Sequence, residues 1–171
     1  TRLGLFVRAV TLISGDRGDD ITANVLTIQS LPRQLHGTAP RVVEIRGEIY
    51  LTQAEFERLN AERAAAGEEL YANPRNTAAG SVRQKAPKAT ASRPLTFFAY
   101  QLQTSEGGNF KTHLETLDYL REAGFPVNGK VRWCKNLQQA LEFVDYWQTQ
   151  RDKEDYATDG VVIKVNSLSL Q

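Results

Sequence analysis

Segment 41–51, RVVEIRGEIYL, constrains the fold of this chain more than any other stretch. Every second position is apolar, and these residues are Val43, Ile45, Ile49 and Leu51. The positions between them include the charged residues Glu44, Arg46 and Glu48. Because successive side chains of a strand point to opposite faces, the segment predicts a strand with one apolar and one charged face. Such strands are typical of antiparallel sheets.

Further strands and helices alternate along the chain. β-branched and aromatic residues predict strands at 3–13, 95–102, 130–134 and 160–166. Cap residues and apolar periodicity predict helices between Asp20 and Leu31 and over 52–67, 77–83, 112–124 and 136–151. Pro87 and Pro94 bracket a predicted polar loop. This order favours an α+β fold with largely antiparallel sheets flanked by helices.

The charge balance and the few cysteine and histidine residues limit the kinds of site that this chain can carry. The 171 residues include 21 Lys and Arg against 20 Asp and Glu, a formal net charge of +1. Any site for a polyanion must therefore be local. Cys134 is the single cysteine, which excludes an internal disulfide, and its apolar neighbours predict a buried thiol. His36 and His113 have no second ligand at metal-binding spacing, so we assign no residue to a metal.

The two ends of the sequence also carry information. Both fall in or next to predicted strands, and the sequence contains no methionine. Since a strand without neighbours leaves backbone groups unpaired, we expect the chain to be a segment of a longer protein. There is no apolar run of membrane-spanning length and no leader, so we expect a soluble cytoplasmic protein.

The polar segment 71–84, YANPRNTAAGSVRQ, carries Arg75 and Arg83 among small residues. Predicted strands place further charges at Glu48, Asp159 and Lys164. Burying such charges is costly unless they are paired or bound to a ligand. For any one of them taken alone, a solvent-exposed salt bridge is the more frequent explanation.

Taken together, these charged residues have the chemistry of a nucleotide-binding site. Carboxylates accept ribose hydroxyls, arginine forks bind phosphate oxygens, and a lysine adds a positive charge. Tyr100, Phe97 and Phe98 offer aromatic surface on which a base can stack. Because Phe97 and Phe98 point to opposite faces of a predicted strand, we expect at least one of them in the core.

Four segments follow one another in the order VEIRGEIYL (43–51), ANPRNTAAGSVRQ (72–84), SRPLTFFAY (92–100) and DGVVIKVN (159–166). In this order and spacing they resemble the nucleotidyltransferase domain of bacterial NAD-dependent DNA ligases. The second is highly specific, whereas related nucleotidyltransferases use versions of the last. The resemblance covers essentially the whole chain. It implies the fold shared by DNA ligases and mRNA-capping enzymes, with residues 1–171 forming a partial adenylation domain.

The resemblance implies a three-step reaction. A lysine attacks the adenylyl phosphorus of NAD+ and releases nicotinamide mononucleotide, and AMP then passes to the 5′-phosphate of a nick in double-stranded DNA. The 3′-hydroxyl displaces AMP and seals the strand, as DNA replication and repair require. The implied cofactors are NAD+ and Mg2+, the latter held largely through phosphates and water. The implied protein is a monomer associated with the bacterial nucleoid.

The resemblance also carries roles onto matching residues. Glu48 would hold the AMP ribose, and Tyr100 would stack on adenine. The implied catalytic residues are Arg75, Arg83, Asp159 and Lys164. The two arginines would act near the nucleotide and the nick phosphates, and Asp159 and Lys164 would serve the adenylate and its metal-assisted transfer. The implied cofactor-binding residues are Glu48, Arg75, Tyr100 and Lys164. Arg93 is implied only as a polar residue at the rim of the nucleotide site.

Two features depart from the family pattern. The nucleophilic lysine of the family lies in a Lys-x-Asp-Gly motif, and no lysine of this sequence has that context. We therefore expect this chain alone to be inactive. Leu12, Ile13 and Ser14 stand where the family has Arg-Gly-Asp. We also expect the nicotinamide-binding subdomain and the OB-fold, zinc, helix-hairpin-helix and BRCT regions to be absent from this chain.

Two other interpretations remain at this point. An ATP-dependent ligase or RNA-capping relative shares the architecture and a strand containing Asp-Gly, although segment 72–84 argues against it. A nucleotide- or nucleic-acid-binding module without catalytic activity agrees with the missing lysine. A Lys-x-Asp-Gly motif encoded upstream would favour the enzyme.

Overall fold

The computed structural model describes residues 4–12 and 17–171, which combine helices with a small antiparallel sheet. Within these residues the strands are β1 (Val42–Tyr50) and β2 (Thr96–Glu106). The helices are α1 (Thr22–Val25), α2 (Gln53–Ala65), α3 (Pro74–Val82), α4 (Pro87–Ala91), α5 (His113–Glu122) and α6 (Leu137–Gln150). Short 3-10 turns cover Arg151–Lys153 and Leu168–Leu170. The predicted mixture of helices with an antiparallel sheet is confirmed.

β1 and β2 pair antiparallel, from Val42 opposite Glu106 to Tyr50 opposite Thr96. The ladder is interrupted twice, between Glu44 and Ile45 and between Arg46 and Gly47. At the second interruption Arg46 faces Gln101 and Gly47 faces Ala99, so Tyr100 is an extra residue of β2. Such a bulge increases the local twist and can re-aim a side chain.

Gly47 is required by the close approach of β2. A Cβ atom at this position would overlap the ring of Phe97, which lies in the core. Phe98, on the other face, is only partly buried. The expectation that at least one of these two phenylalanines packs in the core is therefore confirmed.

The core lies on one side of the sheet, where α3 packs on β1 and α5 packs on β2. Its buried members are apolar side chains from β2, from the helices and from the segments between them, including Leu51, Leu59, Ala78, Val82, Phe97, Ala99, Leu117 and Leu120, and Ile45 and Ile49 of β1 pack against them. Their burial removes apolar surface from water and fixes the helices relative to the sheet.

Local capping determines where the longer helices begin. The side chains of Thr52, Asn73, Thr112 and Asn136 each accept a hydrogen bond from a backbone N–H three residues later. At Thr112 the capping box is complete, because Glu115 also accepts from the backbone N–H of Thr112. The predicted helix starts at 52, 112 and 136 are thus confirmed to within one residue.

The segment 73–91 is more helical than predicted. α3 begins at Pro74 rather than Thr77, because Asn73 caps it and proline suits the first helical position. The predicted loop after Pro87 is wrong, since residues Pro87–Ala91 form α4. The predicted helix after Asp20 is shorter than expected and covers only Thr22–Val25, although the Asp20 side chain accepts from the N–H of Thr22.

Three predicted strands are wrong for the described residues. Within 4–12 the backbone makes isolated bridges from Leu5 to Gln34 and from Val10 to Asp20 instead of a ladder. Segments 130–134 and 160–166 are not paired as strands with any part of the described chain. A β-branched run becomes a strand only where a partner completes its hydrogen bonds. Val162 is 77% exposed, as expected of such an unpaired segment.

Two smaller features complete the fold. Cys134 is partly buried, so the predicted fully buried thiol is wrong, because the segment around it is not covered by a sheet. None of the described helices combines the length and the apolar character needed to cross a membrane.

Candidate functional site

A cavity of about 1320 Å³ lies between the sheet and the segments 127–148 and 156–166. It is lined by residues 48–51 at the end of β1, by residues 73–76 at the start of α3 and by residues 98–100 of β2. The start of α5 contributes His113 and Leu114. Both strands and two helix N-termini thus meet at one surface, which we call the main cavity.

Arg75 joins two carboxylates at this cavity. Its Nη1 lies 3.3 Å from Oδ2 of Asp159, and its Nε lies 3.8 Å from Oε1 of Glu48. The Asn73 cap sets the start of α3 and places Arg75 in its first turn, opposite Glu48 on β1. The side chains of Arg75, Glu48 and Asp159 are 69%, 44% and 89% exposed. Exposed ion pairs add little stability, so these groups are available to a ligand.

Tyr100 and Lys164 form a second pair in the main cavity. The Nζ of Lys164 lies 5.1 Å from the centroid of the Tyr100 ring and donates to Oε1 of Gln101 at 3.5 Å. Burial lowers the pKa of Lys164 from its ordinary value. A partly desolvated ammonium group beside an aromatic face is a strong partner for a phosphate next to a stacked base.

His113 stands next to Lys164. Burial lowers the pKa of His113, and the positive charge of Lys164 lowers it further. Both effects favour the neutral imidazole, which can donate and accept hydrogen bonds. The sequence analysis considered His113 only as a metal ligand and did not assign it to the nucleotide site, because nothing in its local sequence distinguishes it from a surface residue at a helix start.

An aromatic group adjoins the charged residues. The ring centroids of Tyr50 and Phe98 lie 5.3 Å apart, and that of Tyr156 lies 5.4 Å from Tyr50 and 6.0 Å from Phe98. Tyr50 and Tyr156 were missed in the sequence analysis. Tyr50 could have been found, because it alternates onto the face of β1 that carries Glu48.

Two predicted arginines lie outside the main cavity. Arg83 is the C-cap of α3, and its Nε lies 3.7 Å from Oδ2 of Asp19. Arg93 lines a smaller cavity of about 240 Å³, where its Nη2 donates to the hydroxyl of Tyr71 at 3.2 Å. The structure therefore gathers Glu48, Arg75, Tyr100, Asp159 and Lys164, but not Arg83 and Arg93.

The divergent loop after residue 11 is only partly described. Ile13 and Ser14 lie outside the described residues, whereas Leu12 is described and exposed. The base of this loop is closed by Thr11 and Asp19, which exchange a backbone hydrogen bond and a side-chain hydrogen bond, each 2.9 Å long.

Metal ligands do not cluster in the part of the chain that the structure describes, since no group of three or more His, Cys, Asp or Glu there could hold an ion. Glu48 and Asp159 nevertheless offer hard oxygen ligands at the main cavity. This donor set suits Mg2+ held mainly through ligand phosphates and water.

Comparison with known proteins identifies the family of the chain. Residues 2–171 match the model of the NAD-dependent DNA ligase adenylation domain. The chain belongs to this family. The resemblance found in the four sequence segments is thereby confirmed, and the family implies NAD+ as the donor of AMP.

Curated relatives are called DNA ligase. That of Roseiflexus sp. (strain RS-1) is 45% identical over 99% of this chain, which covers 26% of the relative. That of Chloroflexus aggregans is 44% identical over 98% of this chain and 26% of the relative. That of Beijerinckia indica is 44% identical over 98% and 24%. The chain thus spans about a quarter of the length of these relatives.

Proposed function

We propose that this chain carries the nucleotide-binding cavity of an NAD-dependent DNA ligase. The whole protein would seal nicks in double-stranded DNA through enzyme-adenylate and DNA-adenylate intermediates. One observation carries the proposal. A carboxylate, an arginine, an aromatic ring and a lysine meet in the main cavity, as the ribose, phosphate and base of AMP require.

Each residue has a role that follows from its chemistry. Glu48 accepts hydrogen bonds from the ribose hydroxyls, and Tyr100 stacks on adenine. Arg75 and Lys164 neutralise the phosphate, because both cations lie at the same cavity. Asp159 fixes Arg75 through their 3.3 Å ion pair. Transfer of an adenylyl group depends on such positioning and charge neutralisation.

Mg2+ is proposed as the accompanying cation. It supplies Lewis-acid stabilisation of the phosphate charge. Water and the ligand phosphates would hold most of it, and the exposed carboxylate of Asp159 offers a hard oxygen beside them at the main cavity. The residues present therefore fit the ion.

The finer fold assignment is also a proposal. We infer the nucleotidyltransferase fold shared by DNA ligases and mRNA-capping enzymes, with residues 1–171 as part of the adenylation domain. The antiparallel pairing of β1 with β2 and the family match over residues 2–171 support it. The nicotinamide-binding subdomain and the OB-fold, zinc, helix-hairpin-helix and BRCT regions would belong to other parts of the protein, which acts as a monomer at the bacterial nucleoid.

Nicked DNA is the proposed macromolecular partner. Arg83 and Arg93 lie outside the main cavity and carry charges that duplex phosphates could contact. Their present partners are an exposed aspartate and a tyrosine hydroxyl, both weak competitors of a phosphate.

The chain alone is proposed to bind nucleotide without forming a covalent adenylate. No lysine in its sequence lies in a Lys-x-Asp-Gly motif. Incubation with adenylate-labelled NAD+, followed by denaturing electrophoresis, should show no labelled chain. A stable lysine adduct would overturn this part of the proposal.

Calorimetry with the 171-residue chain tests nucleotide binding. AMP and NAD+ should bind more tightly than nicotinamide mononucleotide, which lacks adenine. Tyr100→Leu should weaken AMP binding, because it removes the stacking surface. Tyr146→Leu is the matched control, since this exposed tyrosine of α6 does not line the main cavity. Equal loss in both variants, or equal affinity for AMP and nicotinamide mononucleotide, would contradict the assignment.

A further inference from the structure

Asn166 pairs with the start of α5, although it lies 52 residues beyond Leu114 in the sequence. Its carbonyl oxygen accepts from the backbone N–H of His113 at 2.7 Å, and its side-chain Oδ1 accepts from that of Leu114 at 3.1 Å. A helix leaves its first N–H groups without intrahelical partners. Asn166 therefore caps α5 from a distant segment.

The other donors of this helix start are satisfied locally. Thr112 Oγ1 accepts from the N–H of Glu115 at 3.2 Å, and Glu115 Oε2 accepts from the N–H of Thr112 at 3.3 Å. The local capping box and the distant residue thus divide four backbone donors between them. Removing the Asn166 side chain would leave the N–H of Leu114 without its partner.

The attachment continues beyond Asn166. Ser167 forms an antiparallel bridge with Thr112, and the N–H of Leu168 donates to the carbonyl of Lys111 at 3.0 Å. Helix α5 is itself fixed in the core through Leu117 and Leu120. The segment 166–168 is therefore tied to the most buried part of the fold.

Lys164 lies two residues before this attachment, about 7 Å along an extended chain. Between Asp159 and Asn166 the backbone is not part of the described sheet, and Val162, Ile163 and Val165 are exposed. At the far end of this stretch, Asp159 pairs with Arg75. The two ends of the segment 159–166 are therefore its described attachments, and they determine whether the Lys164 side chain points toward Tyr100.

We propose that Asn166 is a positioning residue of the nucleotide site, which holds Lys164 against Tyr100 by capping α5. The proposal rests on the proposed function only in assuming that the main cavity binds a nucleotide. Asn166 acts through Lys164. Lys164 has two charged or titratable neighbours in the described structure, His113 and Tyr100. The pKa of Lys164 therefore depends on whether its ammonium group lies beside them.

Carbon-13 reductive methylation of the lysines, followed by NMR, tests the positioning directly. The Lys164 signal is identified by its disappearance in Lys164→Arg, and Tyr100→Leu measures the ring-current displacement that Tyr100 causes. In Asn166→Ala this displacement should be lost, and the pKa of Lys164 should rise towards its ordinary value. Asn166→Asp should restore the displacement, because an aspartate also accepts from a helix N-terminal N–H.

Thr112→Ala is the matched control. It removes a cap from the same helix but leaves both Asn166 hydrogen bonds in place, so the Lys164 signal should stay unchanged. An unchanged signal in Asn166→Ala, or an equal change in Thr112→Ala, would overturn the proposal. If Asn166→Ala does not fold, Asn166→Asp should keep the displacement and Asn166→Gln should lose it, and equal spectra of these two would also overturn it.

Binding of AMP separates this inference from the proposed function. Asn166→Ala should weaken AMP binding on the order of tenfold through loss of Lys164 from the site. If the unmodified chain does not bind AMP but the Lys164 signal depends on Asn166, the nucleotide function fails and the positioning role stands. If AMP binds and the Lys164 signal does not depend on Asn166, only the positioning role fails.

Discussion

Substitution of Arg75 by alanine should reduce nucleotide affinity more than stability. The side chain makes two ion pairs, at 3.3 Å to Asp159 and at 3.8 Å to Glu48. All three side chains are substantially exposed, so solvent screens both pairs, and each contributes about 0–1 kcal/mol. The free energy of unfolding should therefore fall by no more than about 2 kcal/mol in total.

The effect on binding should be larger because phosphate would be the preferred partner of Arg75. A hydrogen bond to a charged group contributes about 1.5–3 kcal/mol. Its loss corresponds to a rise in the Kd of AMP of roughly 10- to 150-fold. Calorimetric titration of the 171-residue chain with AMP measures this rise, and urea unfolding of the same samples measures stability.

Arg58→Ala provides the matched comparison. Arg58 also joins two carboxylates, Glu55 and Glu62, but on the exposed surface of α2 and away from the main cavity. This variant should bind AMP as tightly as the unmodified chain. If Arg75→Ala binds AMP with unchanged affinity, or if it loses stability as strongly as a core variant, the role assigned to Arg75 is wrong.

Three further predictions concern packing and protonation. Gly47→Ala should lower the free energy of unfolding by about 1–3 kcal/mol, because its Cβ would overlap the Phe97 ring, and an unchanged urea midpoint would contradict this packing. Leu120→Ala should cost about 2–5 kcal/mol in the same measurement, since Leu120 is fully buried; a loss below 1 kcal/mol would argue against its burial. Burial lowers the pKa of Lys164 in the folded chain, so the unfolded chain binds more protons and stability should rise as pH increases towards 10.5. Urea unfolding across that pH range should show a smaller rise in Lys164→Met, and equal slopes would refute the desolvation of Lys164.

Elements with a complete local signal could be predicted from the sequence. The alternation in 41–51 specifies β1, since it needs no information about distant residues. The capping residues Thr52, Thr112 and Asn136 likewise mark helix starts within their own first turns. Asn73 carries the same signal, but the polar residues after it favour a loop, so the predicted start of α3 at Thr77 is three residues late.

Elements that depend on distant partners could not be predicted. Segments 130–134 and 160–166 have the composition of strands, but a ladder also requires a neighbouring strand, which the described chain does not provide. The same limit applies to Asn166, whose side-chain partner Leu114 lies 52 residues away. A capping residue cannot be recognised when its helix is so distant in sequence.

Some features of the candidate site could be predicted from the sequence and others could not. Residue chemistry was sufficient to select Glu48, Arg75 and Lys164, which the structure places around one cavity. It could not separate Arg75 from Arg83, because the two lie at opposite ends of α3, about 12 Å apart along its axis. Their roles stay predictions until the variants are measured.

The bulge in β2 has a consequence for how the site can evolve. Tyr100 is the extra residue at that bulge, so it has no residue directly opposite it on β1. Exchange of Tyr100 for another side chain therefore disturbs no cross-strand pair of the sheet. The surface that meets the base can change by substitution at this position while the register of β1 and β2 is preserved, which separates ligand preference from folding.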